Sequence, residues 1–142
     1  MVAEDEPTDV FLLKRGFAAA RVSISLHFVE DGQAAIDYLS GAGEYADRDR
    51  YPLPDLMLLD IKMPRLDGFE VLGWLRQQPG LKRLPVAMFS SCDLQQDVNR
   101  AYELGANSFL VKPQEPASMS NFVRRFEDYW LELNRGPQDL DQ

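Results

Sequence analysis

Hydrophobic positions in this chain recur with two different periods. Leu56, Met57, Leu58 and Leu59 form an unbroken apolar run between Asp55 and Asp60, as in a strand buried on both faces of a parallel sheet. Pro85 to Phe89, ahead of Ser90-Ser91, and Ser108 to Val111, ahead of Lys112-Pro113, repeat that pattern. Residues 21–28 instead alternate strictly, with Val22, Ile24, Leu26 and Phe28 set against Ser23, Ser25 and His27. Such alternation predicts a half-exposed strand at a sheet edge, with His27 facing solvent. Met1-Val2-Ala3 is barely long enough for a strand. Between these runs the spacing is helical. Pro7 opens a helix that turns Val10, Leu13, Phe17 and Ala20 to one side. Asp31-Gly32 opens a second, with Ala35, Ile36 and Leu39 inward. A third runs over 68–78 on Val71, Leu72 and Leu75 and stops before Pro79-Gly80, and a fourth over 93–104 on Val98, Ala101 and Leu104. A fifth, over 116–134, spaces Met119, Phe122, Val123, Phe126, Trp130 and Leu133.

Strands that alternate with helices predict an α/β fold, a doubly wound parallel sheet of flavodoxin-like (βα)5 topology with strand order 2-1-3-4-5. One domain is expected over 1–134, with 135–142 a flexible acidic tail. Residues 40–54, with Gly41, Gly43, Pro52 and Pro54, predict a long loop holding a short helical turn around Tyr45. The first strand has three residues where a central strand needs more. Either the chain start is truncated or the sheet is shortened at that end.

Composition narrows the function. With 142 residues, 45% hydrophobic and 27% charged, the chain is of globular type, with no apolar run of membrane-spanning length. No secretory signal opens it, and the expected location is cytoplasmic. One cysteine, Cys92, and one histidine, His27, leave no material for a disulfide, a thiolate or histidine metal site, or a Ser/His/Asp triad. A net charge of −8 argues against nucleic-acid binding and for a partner with a basic patch or a cation among carboxylates.

The carboxylates converge. In the order 2-1-3-4-5 the first and third strands are neighbours, so Glu4 and Asp5 meet Asp60 at one carboxyl edge, where open α/β sheets bind ligands. Like charges so close repel. A hard, oxygen-liking cation such as Mg²⁺ (or Mn²⁺) relieves them. Ser90 and Lys112 reach the same edge from the fourth and fifth strands. Each is an ordinary turn residue when taken singly. Together they suit a tetrahedral anion attached to Asp60, with Lys112 neutralising its oxygens and Ser90 donating a hydrogen bond.

Glu4-Asp5, Leu58-Leu59-Asp60 with Met63-Pro64 and Asp67-Gly68, Ser90, and Lys112-Pro113 resemble the receiver domain of two-component response regulators, over almost the whole chain. Pro7-Thr8-Asp9-Val10 and Gly43-Glu44-Tyr45-Ala46-Asp47 are similar to the single-domain regulators of bacterial phytochrome kinases. The resemblance implies that Asp60 takes a phosphoryl group from a sensor histidine kinase. Glu4, Asp5, Asp60 and the backbone carbonyl of Lys62 would hold Mg²⁺. Ser90 and Phe109 would be the switch pair, and Lys62 and Cys92 would tune the phosphoryl lifetime. The resemblance also makes Lys112-Pro113 a cis peptide. With no output domain after residue 134, the chain is expected to act by docking on the fourth helix, fifth strand and fifth helix. Its partner there would be a histidine phosphotransfer protein, a target or a second copy. Three other readings remain at this stage. One is a haloacid-dehalogenase-type phosphatase, which wants an Asp where Lys62 stands. Another is a flavodoxin-like carrier, which Glu4 to Glu6 would oppose. The third is a receiver-like module that is never phosphorylated.

Overall fold

The structure is a computed structural model and describes residues 1–19, 24–138 and 140. Five parallel strands form one sheet: β1 (Val2–Ala3), β2 (Phe28–Val29), β3 (Met57–Asp60), β4 (Val86–Ser90) and β5 (Ser108–Val111), in the order β2-β1-β3-β4-β5. The helices are α1 (Pro7–Ala18), α2 (Gly32–Ser40), α3 (Gly68–Arg76), α4 (Gln95–Glu103) and α5 (Met119–Glu127). The flavodoxin-like order read from the sequence is the order observed.

The period of two along each strand sorts the core into halves. Ala3, Met57, Leu59, Val86 and Met88 face α2, α3 and Ala101 of α4. Val2, Leu58, Ala87 and Phe89 face Leu13 and Phe17 of α1 and Val123 and Phe126 of α5. β3 is buried along its whole length, as its apolar run requires.

Short as it is, β1 leaves no gap in the ladder. Val2 and Ala3 pair with Phe28 and Val29 on one side and Leu58 and Leu59 on the other. Just beyond them, Val2 N donates to His27 O, Glu4 N to Val29 O and Leu58 N to Met1 O at 2.8–3.0 Å. The sheet is short at this end. β2 shortens with it. The strand expected over 21–28 is Phe28–Val29; residues 21–23, with Ala20 of the first helix, lie outside the described residues. An edge strand can pair only with its one neighbour, and β1 offers it two residues. Ile24, Leu26 and Phe28 still pack on the α1–α5 core. His27, expected in solvent, is half-buried, with its Nε2 3.1 Å from Ser25 Oγ and its ring 5.8 Å from that of Tyr38.

The fifth helix also differs from its single expected span. Pro116–Ser118 winds as a 3₁₀ turn and Asp128–Leu133 as a π-helix. The wider π-turn is closed by Asn134 N donating to Tyr129 O at 2.7 Å. It lets Trp130 lie 6.3 Å from the Phe126 ring while Tyr129 and Leu133 stay exposed. The predicted turn around Tyr45 is a 3₁₀ helix, Gly43–Ala46. In the segment expected to fray, Leu140 is 9% exposed and joins the core, and Gln138 O accepts from Arg83.

Candidate functional site

Four strand ends deliver the site. Glu4 follows β1, Asp60 ends β3, Ser90 ends β4 and Lys112 follows β5. Parallel pairing puts all four at the same edge of the sheet. β4 fixes two of them in register, pairing Asp60 with Phe89 on one side and Ser90 with Val111 on the other.

The loop from Ile61 to Asp67 walls the site, and two glycines let it close. A Cβ on Gly68 would sit 2.2 Å from Asp60 O, and one on Gly32 would sit 2.1 Å from Leu66 O. Only residues without a side chain let two backbones approach so closely. Gly68 N then donates to Ile61 O at 2.7 Å. Beyond it, Asp67 and Glu70 cap α3 reciprocally, Asp67 Oδ1 accepting from Glu70 N and Glu70 Oε2 from Asp67 N. Arg65, in the same loop, takes a left-handed φ of 70°.

Glu4, Asp60, Ser90 and Lys112 are all buried, the carboxylate of Glu4 completely. Asp5 is exposed, and one oxygen from each of Glu4, Asp5 and Asp60 falls within 4.8 Å of the others. Lys112 Nζ lies 2.8 Å from Glu4 Oε2, and donates hydrogen bonds to Asp9 Oδ2 at 3.0 Å and Asp60 Oδ2 at 3.3 Å. It also stands 5.3 Å above the Phe89 ring. Glu4 Oε2 has this ion pair and no further polar partner; Glu4 Oε1 accepts from Glu6 N.

The electrostatics follow from this crowding. Burial pushes the Glu4 carboxyl up to about 7, with Lys112 opposing the shift and the charge of Asp60 adding to it. Burial also raises Asp60, against the pull of Lys112. Burial alone would lower the Lys112 ammonium, but Glu4, Asp60 and Asp9 together hold it above the ordinary lysine range. Three carboxylates gathered around one point, two of them buried and sharing the single Lys112 ammonium, are what a hard divalent cation satisfies. The donor set is all oxygen and fits Mg²⁺ or Mn²⁺.

The other expected residues are more scattered. Ser90 Oγ accepts from Cys92 N at 3.1 Å. Lys62 is exposed on the loop after β3. Cys92 is half-buried and its thiol points to Asp97 Oδ2 at 3.8 Å. Phe109 is half-buried and packed on the α2–α4 side of the core. Lys112-Pro113, expected to be cis, is trans, as is every peptide among the described residues. A proline amide favours trans by roughly 0.5–1 kcal/mol. One contributor escaped the sequence reading. Asp9, in the first turn of α1, is the second hydrogen-bond partner of Lys112.

Known proteins resemble this chain in sequence and fold. A family model described as the response regulator receiver domain matches residues 1–124. Response regulator Rcp1 of Synechocystis is 34% identical over 132 residues, covering 93% of this chain and 88% of Rcp1. The crystal structure of the Mn²⁺-bound form of Rcp1 superposes with a TM-score of 0.87 over 96% of both chains. That of the phosphorylated cyanobacterial phytochrome response regulator RcpA gives 0.90 at 33% identity, again over 96% of both. Response regulator RPA3017, in red light signaling of R. palustris, gives 0.88 at 37% identity over the same share of each chain.

Proposed function

The chain belongs to the response regulator receiver family, and on that footing we propose that it takes a phosphoryl group on Asp60 from a phosphohistidine of a sensor histidine kinase. The N–P bond of the donor breaks as an Asp60 Oδ–P bond forms, and the imidazole leaves with the electron pair. The observation that carries this reading is the buried Asp60 carboxylate with the Lys112 ammonium hydrogen-bonded to it and the carboxylates of Glu4 and Asp5 gathered alongside. Such transfer asks for charge neutralisation and alignment more than for proton transfer. Lys112 supplies a fixed positive charge, and Ser90 a hydroxyl one strand away. Glu4, Asp5, Asp60 and the backbone carbonyl of Lys62 would hold Mg²⁺ or Mn²⁺, which when bound screens the anionic oxygens.

Phosphorylation then acts as a switch. Ser90 and Phe109 are the pair that would respond, and α4, β5 and α5 the face that would change. Moving such an equilibrium from 1% to 99% takes a preference of about 5.5 kcal/mol for the active state. The partner on that face would be a histidine phosphotransfer protein or a second copy of the chain. A groove of about 520 Å³ between β5 and α5, lined by Leu110, Phe122, Tyr129 and Trp130, gives it apolar purchase. A phytochrome kinase as the donor is supported by the likeness to RcpA, named as a phytochrome response regulator. Lys62 and Cys92 flank the acceptor and would set how fast water removes the phosphoryl group.

Incubation with acetyl phosphate or phosphoramidate and Mg²⁺, read by intact mass, tests the reading. The wild type gains one phosphoryl group and Asp60→Asn gains none. No gain, or an equal gain in the variant, sinks it.

A further inference from the structure

Lys112 makes two hydrogen bonds, and the shorter one is not to Asp60. It goes to Asp9 Oδ2 at 3.0 Å, against 3.3 Å to Asp60 Oδ2, across 103 residues of chain. Asp9 is the odd member of the cluster. Glu4, Asp5 and Asp60 bring their oxygens to one point and Asp9 is not among them. A cation settling on that group takes charge from Glu4 and Asp60 and leaves Asp9 as the counter-ion that belongs to Lys112 alone.

Asp9 is also well held. Pro7 fixes the first turn of α1, Glu6 Oε1 accepts from Thr8 N there, and Leu13 and Phe17 anchor the same helix in the core against α5. Lys112 itself hangs from the end of β5, its backbone N donating to Ser90 O at 2.8 Å. A lysine side chain has four rotatable bonds and three equivalent donors, so its ammonium goes where its acceptors hold it. With one donor committed to a carboxylate on a rigid helix, the next is aimed at whatever Asp60 carries.

We propose that Asp9 is a positioning residue: through its hydrogen bond to Nζ it holds the Lys112 ammonium over Asp60, both before and after Asp60 acquires a phosphoryl group. The inference rests on the phosphoacceptor reading above. When Asp60 becomes an acyl phosphate, a phosphoryl oxygen takes the place of Oδ2 as acceptor from Lys112, and the Asp9 bond persists. Without Asp9 the ammonium is left to Glu4, already 2.8 Å away, and is pulled from Asp60, 3.3 Å away.

The test uses the full chain at saturating Mg²⁺ and trifluoroberyllate, a tetrahedral phosphoryl mimic that binds a carboxylate without chemistry. Titration calorimetry gives its affinity for wild type, Asp9→Asn, Asp9→Glu, Lys112→Gln and the double variant Asp9→Asn/Lys112→Gln. The expected outcome is a loss of about tenfold in Asp9→Asn, roughly the worth of one charge-assisted hydrogen bond, with most of it restored in Asp9→Glu. In the Lys112→Gln background Asp9→Asn should cost nothing further, because coupled residues are not additive. ¹⁵N spectra of the Lys112 ammonium, which need no phosphoryl mimic, should shift in Asp9→Asn and return toward wild type in Asp9→Glu. An Asp9→Asn variant that binds as wild type does overturns the inference, as does the same loss with and without Lys112. Absence of binding by the wild type itself overturns the phosphoacceptor reading, and this inference with it.

Discussion

Glu4 is a carboxyl group with no access to solvent, and its pKa of about 7 has a consequence for stability. In the unfolded chain it ionises near 4.5. Between those values the folded state holds a proton that the unfolded state has lost. Stability from this group is therefore full below about pH 4.5 and falls as pH rises toward 7. Asp60, raised in the same sense, adds to the fall. Lys112 contributes no slope here, since its raised pKa keeps it charged in both states through this range. Urea unfolding without divalent cations should show a lower midpoint at pH 8 than at pH 5.5, and Glu4→Gln should flatten the difference. Mg²⁺ should restore more stability at pH 8 than at pH 5.5, because only the ionised carboxylate attracts it. At this scale Asp60, Ser90 and Lys112 were legible in the sequence because each stands at the end of an apolar run. Asp9 was not, because an acidic residue in a first helical turn is ordinary. Only the fold brings Lys112 to it from the far end of the chain.

Helices were easier to read than their ends. α3 begins where Asp67-Gly68 said it would, and the capping box explains why: two orphan N–H groups are satisfied reciprocally. Asp67→Ala should lower the unfolding free energy by about 1 kcal/mol, read by chemical denaturation. The same substitution loosens the loop that walls Asp60. Strands were legible where both faces are buried, as in β3, and poorly legible at the edge. β2 depends on a neighbour two residues long, a limit set by β1 and not by its own alternating pattern. The winding of the last helix was hidden for another reason. Apolar residues at 119, 122, 123, 126, 130 and 133 satisfy a single α-helix on paper. Where Trp130 packs, and hence the need for a π-turn, is decided by Phe126 and Tyr129 beside it.

The molecule as a whole divides its labour between the two edges of the sheet. The carboxyl edge carries the charged cluster. The opposite edge is closed by packing, where Leu140 returns to the core and the aromatic rings of Tyr38, Tyr45 and Tyr51 meet in tilted and edge-to-face pairs with centroids 5.0–5.8 Å apart. The residue-by-residue pattern predicted a free tail there, because one leucine among polar residues gives no periodicity to read. Leu140→Ser should lower thermal stability by about 1.5–3 kcal/mol, the worth of burying one leucine, while leaving phosphoryl uptake intact. Differential scanning calorimetry beside the mass assay would separate the two effects. The π-turn that follows Glu127 has a consequence for recognition. An i→i+5 ring holds one residue more than an α-turn, so the surface beyond it is rotated out of step with the surface before it. A partner helix laid along α5 keeps time with it for nine residues, about 14 Å, and then loses the beat. Tyr129 and Leu133, exposed beyond it, would therefore meet such a partner out of phase with α5.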